Sequence, residues 1–449
     1  MRPFLFFYSL VLLILQPVLA LYLLKRAVRQ RAYLSGWGMR FLARVPDLRG
    51  SNTGSNTGVR RIWVHAVSVG ESHAVSPLVK HWHKVYPNDQ WVFTCTTPTG
   101  MDTCKSLYAS LPGVQFAYLP YDLPWLVSRC IRRLNASALW VVETELWPNL
   151  FLKAKARGLH TALLNARVSP TTGKRLMQLG AIARPVVQSL GALLVQTPAD
   201  GEVFAALGRA PDGVHGNLKF DVALRPDLAS KGKQWRAAIH AQQVLLFASS
   251  REGEEALLLD ALNRTQFFKR MPGACVWIVP RHPQRFDEVF EQMVQAATRM
   301  GVARPLRRST LFAEQASGAV AQPSAPLGQP RLVLGDSMGE MPAYYSVADL
   351  ALLGGSWLPL GGQNLIEACA YGCPVWMGPH TFNFAKAAQD ALSVGAARRF
   401  EHIQAACEQY LAQHGEVDAS TKAAFAYARS HRGATQRSFD TLRALLPPG

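Results

Sequence analysis

At 449 residues with 49% of them hydrophobic, the chain is long enough for two domains with sizeable cores. Its seven cysteines are odd in number and scattered, with no CxxC pair, so neither a zinc site nor a disulfide framework is indicated, and a reducing, cytosolic setting fits. The formal charge of +18 calls for anionic partners, but no basic stripe interleaved with aromatics and no nucleic-acid-binding signature is present, so a membrane surface and anionic small molecules are expected, and no nucleic acid.

The first element is an apolar run over residues 3–24, broken only by Ser9 and Gln16 among polar side chains. At about 1.5 Å per residue it is just long enough to cross a hydrocarbon core of about 30 Å, so residues 1–24 are expected to form a transmembrane helix. Lys25, Arg26, Arg29 and Arg31 follow, and no acidic residue occurs before Asp47. By the positive-inside rule the rest of the chain then faces the cytoplasm. A signal peptide cut after Ala20 is the rival, weakened by an n-region holding only Arg2 and by the cations beyond the cut. As an anchor, residues 1–30 are expected to add nothing to the soluble cores.

The tandem SNTGSNTG at 51–58 is a turn-forming surface loop. Strand patterns follow at 62–69, 91–95, 138–142, 161–164 and 192–196, with a helix expected over 72–85. The rhythm breaks across 216–232 and restarts with strands at 244–248, 275–279, 331–334, 350–353 and 375–377, while 315–330 reads as a variable loop. Alternating strands and helices imply parallel sheets. The expected fold is α/β, two doubly wound Rossmann-like domains joined near residue 220 and facing across a cleft, with the N-terminal membrane helix in front.

Seven motifs fall at strand ends or in the loops that follow them. In HAVSVGESH (65–73), Glu71 sits where a carboxylate can take a proton from an attacking hydroxyl, and equally at capping-box spacing from Ser68. In ETELWPN (143–149), Glu143 and Glu145 follow a strand and can bind hydroxyls, orient a basic partner, support transition-state charge, or cap the helix starting near Pro148. GNLKFD (216–221) puts Lys219 at the domain junction, as a solvated cation or as a counter-charge for a leaving phosphate. SSREGE (249–254) contributes Arg251. IVPRHPQR (278–285) clusters Arg281, His282 and Arg285, suited to gripping phosphate or carboxylate, with helix entry as the plain alternative. GDSMGEM (335–341) makes a turn bearing Met338, Gly339 and Glu340 that can face a nucleotide base. In GGSWLPLGGQNLIE (354–367), two diglycines lead into a helix starting near Asn364, followed by Leu365, Ile366 and Glu367. Glycine turns and a helix start suit a phosphate, while Asn364 and Glu367 also read as an N-cap and its N3 partner.

These phrases together resemble the Kdo transferase family of GT-B glycosyltransferases, which attach 3-deoxy-D-manno-octulosonic acid (Kdo) to the lipid A precursor. The resemblance runs from the apolar segment to Phe384 and is weaker beyond. It implies an inverting transfer of Kdo from CMP-Kdo to lipid IVA, with residues 25–220 as the acceptor domain and 221–449 as the donor domain with C-terminal helices. It further implies Glu71 as general base, Glu143 and Lys219 as catalytic supports, and Arg281, His282, Met338, Gly339, Glu340, Asn364, Leu365, Ile366 and Glu367 around CMP-Kdo, with Glu367 on the ribose hydroxyls. No cofactor and no metal is implied, and the expected location is the inner membrane, against its anionic lipids, with the catalytic domains on the cytoplasmic side. The chain departs from the family pattern at Gln363, where a histidine is usual, and at Leu365, where a proline is usual. A UDP-sugar-dependent GT-B transferase acting on another membrane lipid and a non-catalytic membrane scaffold remain as alternatives.

Overall fold

A computed structural model of the protein describes residues 3–49, 59–221, 224–311, 331–414 and 417–446. The 51–58 loop lies outside the described residues, and so does the expected loop at 315–330. The chain divides into two compact units: Met1–Asp221 with Arg432–Gly449, and Val222–His431.

Unit 1 contains a seven-stranded parallel sheet. Its strands are β1 (Arg61–His65), β2 (Gln90–Cys95), β3 (Gln115–Tyr118), β4 (Ala138–Val142), β5 (His160–Ala166), β6 (Ala192–Val195) and β7 (Gly213–Val214), in the order β3-β2-β1-β4-β5-β6-β7. β1 and β4 are buried at every position, as expected for central strands covered on both faces. The strand order reverses between β1 and β4, where a doubly wound sheet opens a crevice beyond its strand C-termini.

Unit 2 repeats the plan with β8 (Gln243–Ser250), β9 (Ala274–Pro280), β10 (Leu306–Arg307), β11 (Arg331–Leu334), β12 (Leu350–Leu353), β13 (Val375–Met377) and β14 (Ala397–Arg399). The order is β10-β11-β9-β8-β12-β13-β14, so β8 and β12 flank its switch point. The sequence pattern missed β3, β7, β10 and β14. All are four residues or shorter and lie at or next to sheet edges, too short for an apolar period to register.

Three expectations need correction. The strand expected over 62–69 stops at His65, because the Ser68 hydroxyl accepts from Glu71 N (3.3 Å) and starts a helix, Val69–Val85. The second domain does not run to 449. The helix Ala434–Leu445 belongs to unit 1, where Phe439, Leu442 and Leu446 join the core cluster of Trp82, Trp91 and Trp140. His215 meets Ser438 (3.1 Å), and Arg437 donates to the His215 carbonyl (2.6 Å), fixing this helix to the end of the sheet. Amphipathic spacing marks such a helix but cannot say which domain it covers.

The apolar run is also not one helix. It forms α1 (Pro3–Ile14) and α2 (Gln16–Arg29), bent by 45° between them. Pro17 lacks the N–H that would reach the Leu13 carbonyl, and its ring crowds that carbonyl, which kinks the segment. Among the described residues no single helix is long and apolar enough to cross a membrane, though the bent pair passes by length and composition. Nor is α1 separate from the soluble core. Tyr8 donates to the buried Asp122 (3.1 Å), Asn149 donates to the buried Ser9 hydroxyl (3.2 Å), and Leu12 packs on the core beneath β4 and β5. Deleting residues 1–30 is therefore expected to lower the melting temperature of the protein. The Tyr8–Asp122 bond alone accounts for about 1.5–3 kcal/mol, and an unchanged thermal melt would show that α1 adds nothing to the core.

Candidate active site

In unit 1 the residues singled out at strand ends gather around the β1/β4 switch point. Glu71 lies in the first turn of the helix after β1 and is buried. Its Oε2 accepts from Val67 N (2.7 Å) and its Oε1 from the Ser68 hydroxyl (2.9 Å). Burial pushes the carboxyl up to about 7 against the pull of the Val67 N–H; Glu143 and Glu145 push further in the same direction. The structural and catalytic roles thus coexist: Ser68 caps the helix, and the same contacts aim a carboxylate whose proton affinity suits a base near neutral pH.

Glu143 directly follows β4 with φ of +61°, a left-handed conformation that side-chain-bearing residues seldom adopt. Such strain concentrates at functional sites. The main chain is held there by Glu143 N donating to Leu164 O (2.8 Å), and the side chain takes an ion pair from Lys219 Nζ (2.8 Å). Lys219 itself sits in a short 3-10 turn, Leu218–Phe220, whose Leu218 N donates to Asn165 Oδ1 (2.9 Å). Asn165, also left-handed at φ +54°, thereby ties the Lys219 turn to β5; the sequence reading missed it. Burial raises the Glu145 carboxyl. Neither Glu143 nor Glu145 caps the helix Pro148–Ala156. Asp122 does so from another loop, accepting from Asn149 N (2.9 Å) and Leu150 N (2.8 Å).

In unit 2 the loops after β8, β9, β11 and β12 carry the second set. The Gly354–Trp357 turn is held by Glu254, a fully buried carboxylate that accepts from Gly355 N (2.7 Å), Trp357 N (3.0 Å) and Arg251 N (2.9 Å). Glu254 was quoted in a motif above but given no role; its spacing three residues beyond Arg251 was the available signal. A Cβ on Gly354 would lie 2.2 Å from Ser249 O, so only glycine fits there. Asn364 caps the helix Leu365–Ala370 by accepting from Ile366 N (3.0 Å).

Glu367 is not a capping partner. Among the described residues nothing donates a hydrogen bond to its carboxylate, which burial pushes up and the Arg281 guanidinium pulls down. Arg281 and His282 are exposed beyond β9, and among the described residues Arg251 and Arg281 have no ion-pair partner. Burial lowers the His282 imidazole, and Arg251, Arg281 and Arg285 lower it further, the mark of a cationic cluster.

Several expected donor residues stand differently. Arg285 is committed to structure, forked onto the buried Glu255 (2.8 and 3.2 Å) and paired with Glu288 (3.1 Å). Leu365 and Ile366 have fully buried side chains because they face the core side of a short helix, which leaves only their main chain for a ligand. Glu340 is tied through Oε1 to Arg308 (2.6 Å) and Lys231 (2.9 Å), while its buried Oε2 has no hydrogen-bond partner among the described residues. Met338 is exposed, and Gly339, at φ +77°, has open space on its Cβ side.

Comparison with known proteins gives these positions a family. The family model described as 3-Deoxy-D-manno-octulosonic-acid transferase (kdotransferase) matches residues 36–222. A 3-deoxy-D-manno-octulosonic acid transferase of Bordetella pertussis is 39% identical over 398 residues, covering 86% of this chain and 87% of its own. The chain belongs to the Kdo transferase family. A Kdo transferase of Haemophilus influenzae is 29% identical and spans 98% of both chains. For the fold alone, the UDP-GlcNAc 2-epimerase of Neisseria meningitidis matches 86% of this chain and all of its own with a TM-score of 0.54 at 13% identity. This Kdo transferase is thus a glycosyltransferase of the GT-B fold that acts in lipopolysaccharide core biosynthesis. Of its charged site residues, Glu71, Glu143 and Lys219 fall within the matched segment 36–222.

Proposed function

We propose that this Kdo transferase moves Kdo from CMP-Kdo to lipid IVA by direct displacement, with inversion at the anomeric carbon. The acceptor hydroxyl oxygen forms the new bond to that carbon, the bond to the CMP phosphate oxygen breaks, and Glu71 takes the hydroxyl proton. Lys219, held by Glu143, meets the negative charge that grows on the departing phosphate. The observation that carries the reading is Glu71: a buried carboxylate at the β1/β4 switch point, pinned by two donors and raised to about 7.

On the donor side, Arg251 and Arg281, without an ion-pair partner among the described residues, supply with His282 the positive field for phosphate and the Kdo carboxylate. Glu367, whose oxygens accept from none of the described residues, takes the ribose hydroxyls. Asn364, Leu365 and Ile366 line the donor through their main chain, and Met338 and Gly339 offer an open surface to the base. The run α1–α2 holds the enzyme at the inner membrane with the two units on the cytoplasmic side, where the +18 charge suits anionic lipids.

A mass spectrum of the product formed from purified enzyme, lipid IVA and freshly generated CMP-Kdo tests the reaction. Addition of Kdo is expected, and turnover with a UDP-sugar in place of CMP-Kdo would overturn the donor assignment. Glu367→Ala is expected to weaken CMP binding by about 1.5–3 kcal/mol in calorimetry, with little change in melting temperature. The opposite pattern would make Glu367 a structural group.

A further inference from the structure

The 143–147 turn that presents Glu143 also forms one wall of a cavity of about 360 Å³. Glu145 and the Trp147 indole of the same turn stand at one side of it, and most of the remaining wall is hydrocarbon: Leu146 from the turn, Leu176, Ile182 and Val186 from the helices Pro170–Gln178 and Gly180–Val187, and Leu179 at their junction. Tyr8 of α1 lines it too, with its hydroxyl already committed to Asp122. Two hydroxyls at its edge are likewise engaged: Thr144 donates to the Arg167 carbonyl, and Thr172 bonds Ser169 (2.8 Å). A sugar ring would find few free partners here, whereas an alkyl chain needs none. The volume holds on the order of ten methylene-sized units.

We infer that this cavity receives one acyl chain of the lipid acceptor, so that α1 is part of the acceptor site as well as a membrane-directed segment. The inference rests on the acceptor assignment above and adds to it where the lipid is held. Two observations select the acceptor over bulk membrane lipid as occupant. The cavity is continuous with the turn bearing Glu143 and Glu145, whose charges also act on Glu71, so a chain seated in it tethers its own headgroup beside the proposed base. The same two helices expose Lys174, Arg175 and Arg184, cations suited to a phosphorylated headgroup. Exposed Leu10, Leu13 and Ile14 on α1, with the exposed lining residue Leu179 and Met177 beside it in sequence, give the chain an apolar approach.

The test compares two acceptors in the full-length enzyme: tetra-acylated lipid IVA and the same bis-phosphorylated disaccharide stripped of its acyl chains. Ile182→Trp fills the cavity, and Leu179→Asp, at an exposed position, places a charge at its rim with little risk to folding. Both variants are expected to raise KM for the acylated acceptor by about tenfold or more, leaving KM for CMP-Kdo and the slow rate on the stripped acceptor unchanged. An unchanged KM for lipid IVA, or equal losses on both acceptors, overturns the inference. If the wild-type enzyme transfers Kdo to neither acceptor, the acceptor assignment itself fails; the cavity is then judged by calorimetry with lauric acid, where binding abolished by Ile182→Trp supports a chain site and absent binding overturns it. Phosphatidylglycerol vesicles that compete with lipid IVA in the wild type but not in Leu179→Asp would make it a general lipid site, which also overturns the proposal.

Discussion

Replacing Glu71 with glutamine is expected to lower turnover by a factor of about 10²–10⁴ while leaving CMP affinity unchanged. Glutamine accepts from Val67 N or Ser68 Oγ as the carboxylate does, but it cannot take the acceptor proton. The pH behaviour follows from the raised carboxyl. The base works only when ionised, so wild-type turnover should fall as pH drops through about 7, and that limb should vanish in the variant. Stability has the opposite sense. The folded state holds the Glu71 proton between its ordinary 4.5 and about 7, so the native chain binds more protons than the unfolded one in that window. This contribution is present below pH 4.5 and lost as pH rises to about 7. Glutamine mimics the neutral form, so at pH 8 Glu71→Gln should melt no lower than wild type. A well-folded variant with normal turnover would sink the mechanism and leave the family membership untouched.

Glu254→Ala is expected to give the largest structural effect in unit 2. Its carboxylate is the shared acceptor for three main-chain N–H groups, two of them in the Gly354–Trp357 turn. Each donor left buried without a partner costs about 1–3 kcal/mol, so a loss of about 3–9 kcal/mol is expected for the three, together with loss of CMP binding as the turn relaxes. Glutamine offers one acceptor oxygen in place of two and should fall between. Thermal melts beside CMP titrations separate the outcomes. A Glu254→Ala chain that melts like wild type would show that the glycine turn is held by its other bonds, those of the Ser356 hydroxyl to Leu353 O (2.6 Å) and from Gly378 N (2.9 Å) and the main-chain bond from Gly354 N to Ala248 O (2.9 Å) among them.

Much of the architecture was legible because central parallel strands write themselves as unbroken apolar runs: β4, β9 and β12 fall where the pattern places them. Strand ends were legible too, since Glu71, Glu143, Arg281 and Gly354 each follow such a run, and doubly wound sheets put ligands there. What could not be read was partnership across sequence distance. Arg285 looks as free as Arg281 in the sequence, yet only Arg285 meets the buried Glu255. Glu340 looks like an unpaired carboxylate until Arg308 and Lys231 arrive at its Oε1 from other segments. Asp122, with no motif around it, turns out to cap one helix and anchor another. The apolar run at 3–24 misled for a related reason. Hydropathy reports that Tyr8, Ser9 and Leu12 sit in an apolar segment, not that they are spent on contacts inside unit 1.

The return of Ala434–Leu445 to unit 1 sets an order of events during synthesis. Phe439 packs against Trp82 (5.3 Å) and His81 (4.5 Å), and Asp221, the last residue of unit 1 before the chain departs, accepts from Gly433 N (2.6 Å) and from Thr435 N where it comes back. On the ribosome, the whole of unit 2 emerges between those two halves of the clasp. Unit 1 therefore waits with Trp82 and His81 of the helix Val69–Val85 open on the side that Phe439 takes, and a nascent chain stalled before residue 432 carries an apolar surface that Ala434–Leu445 closes.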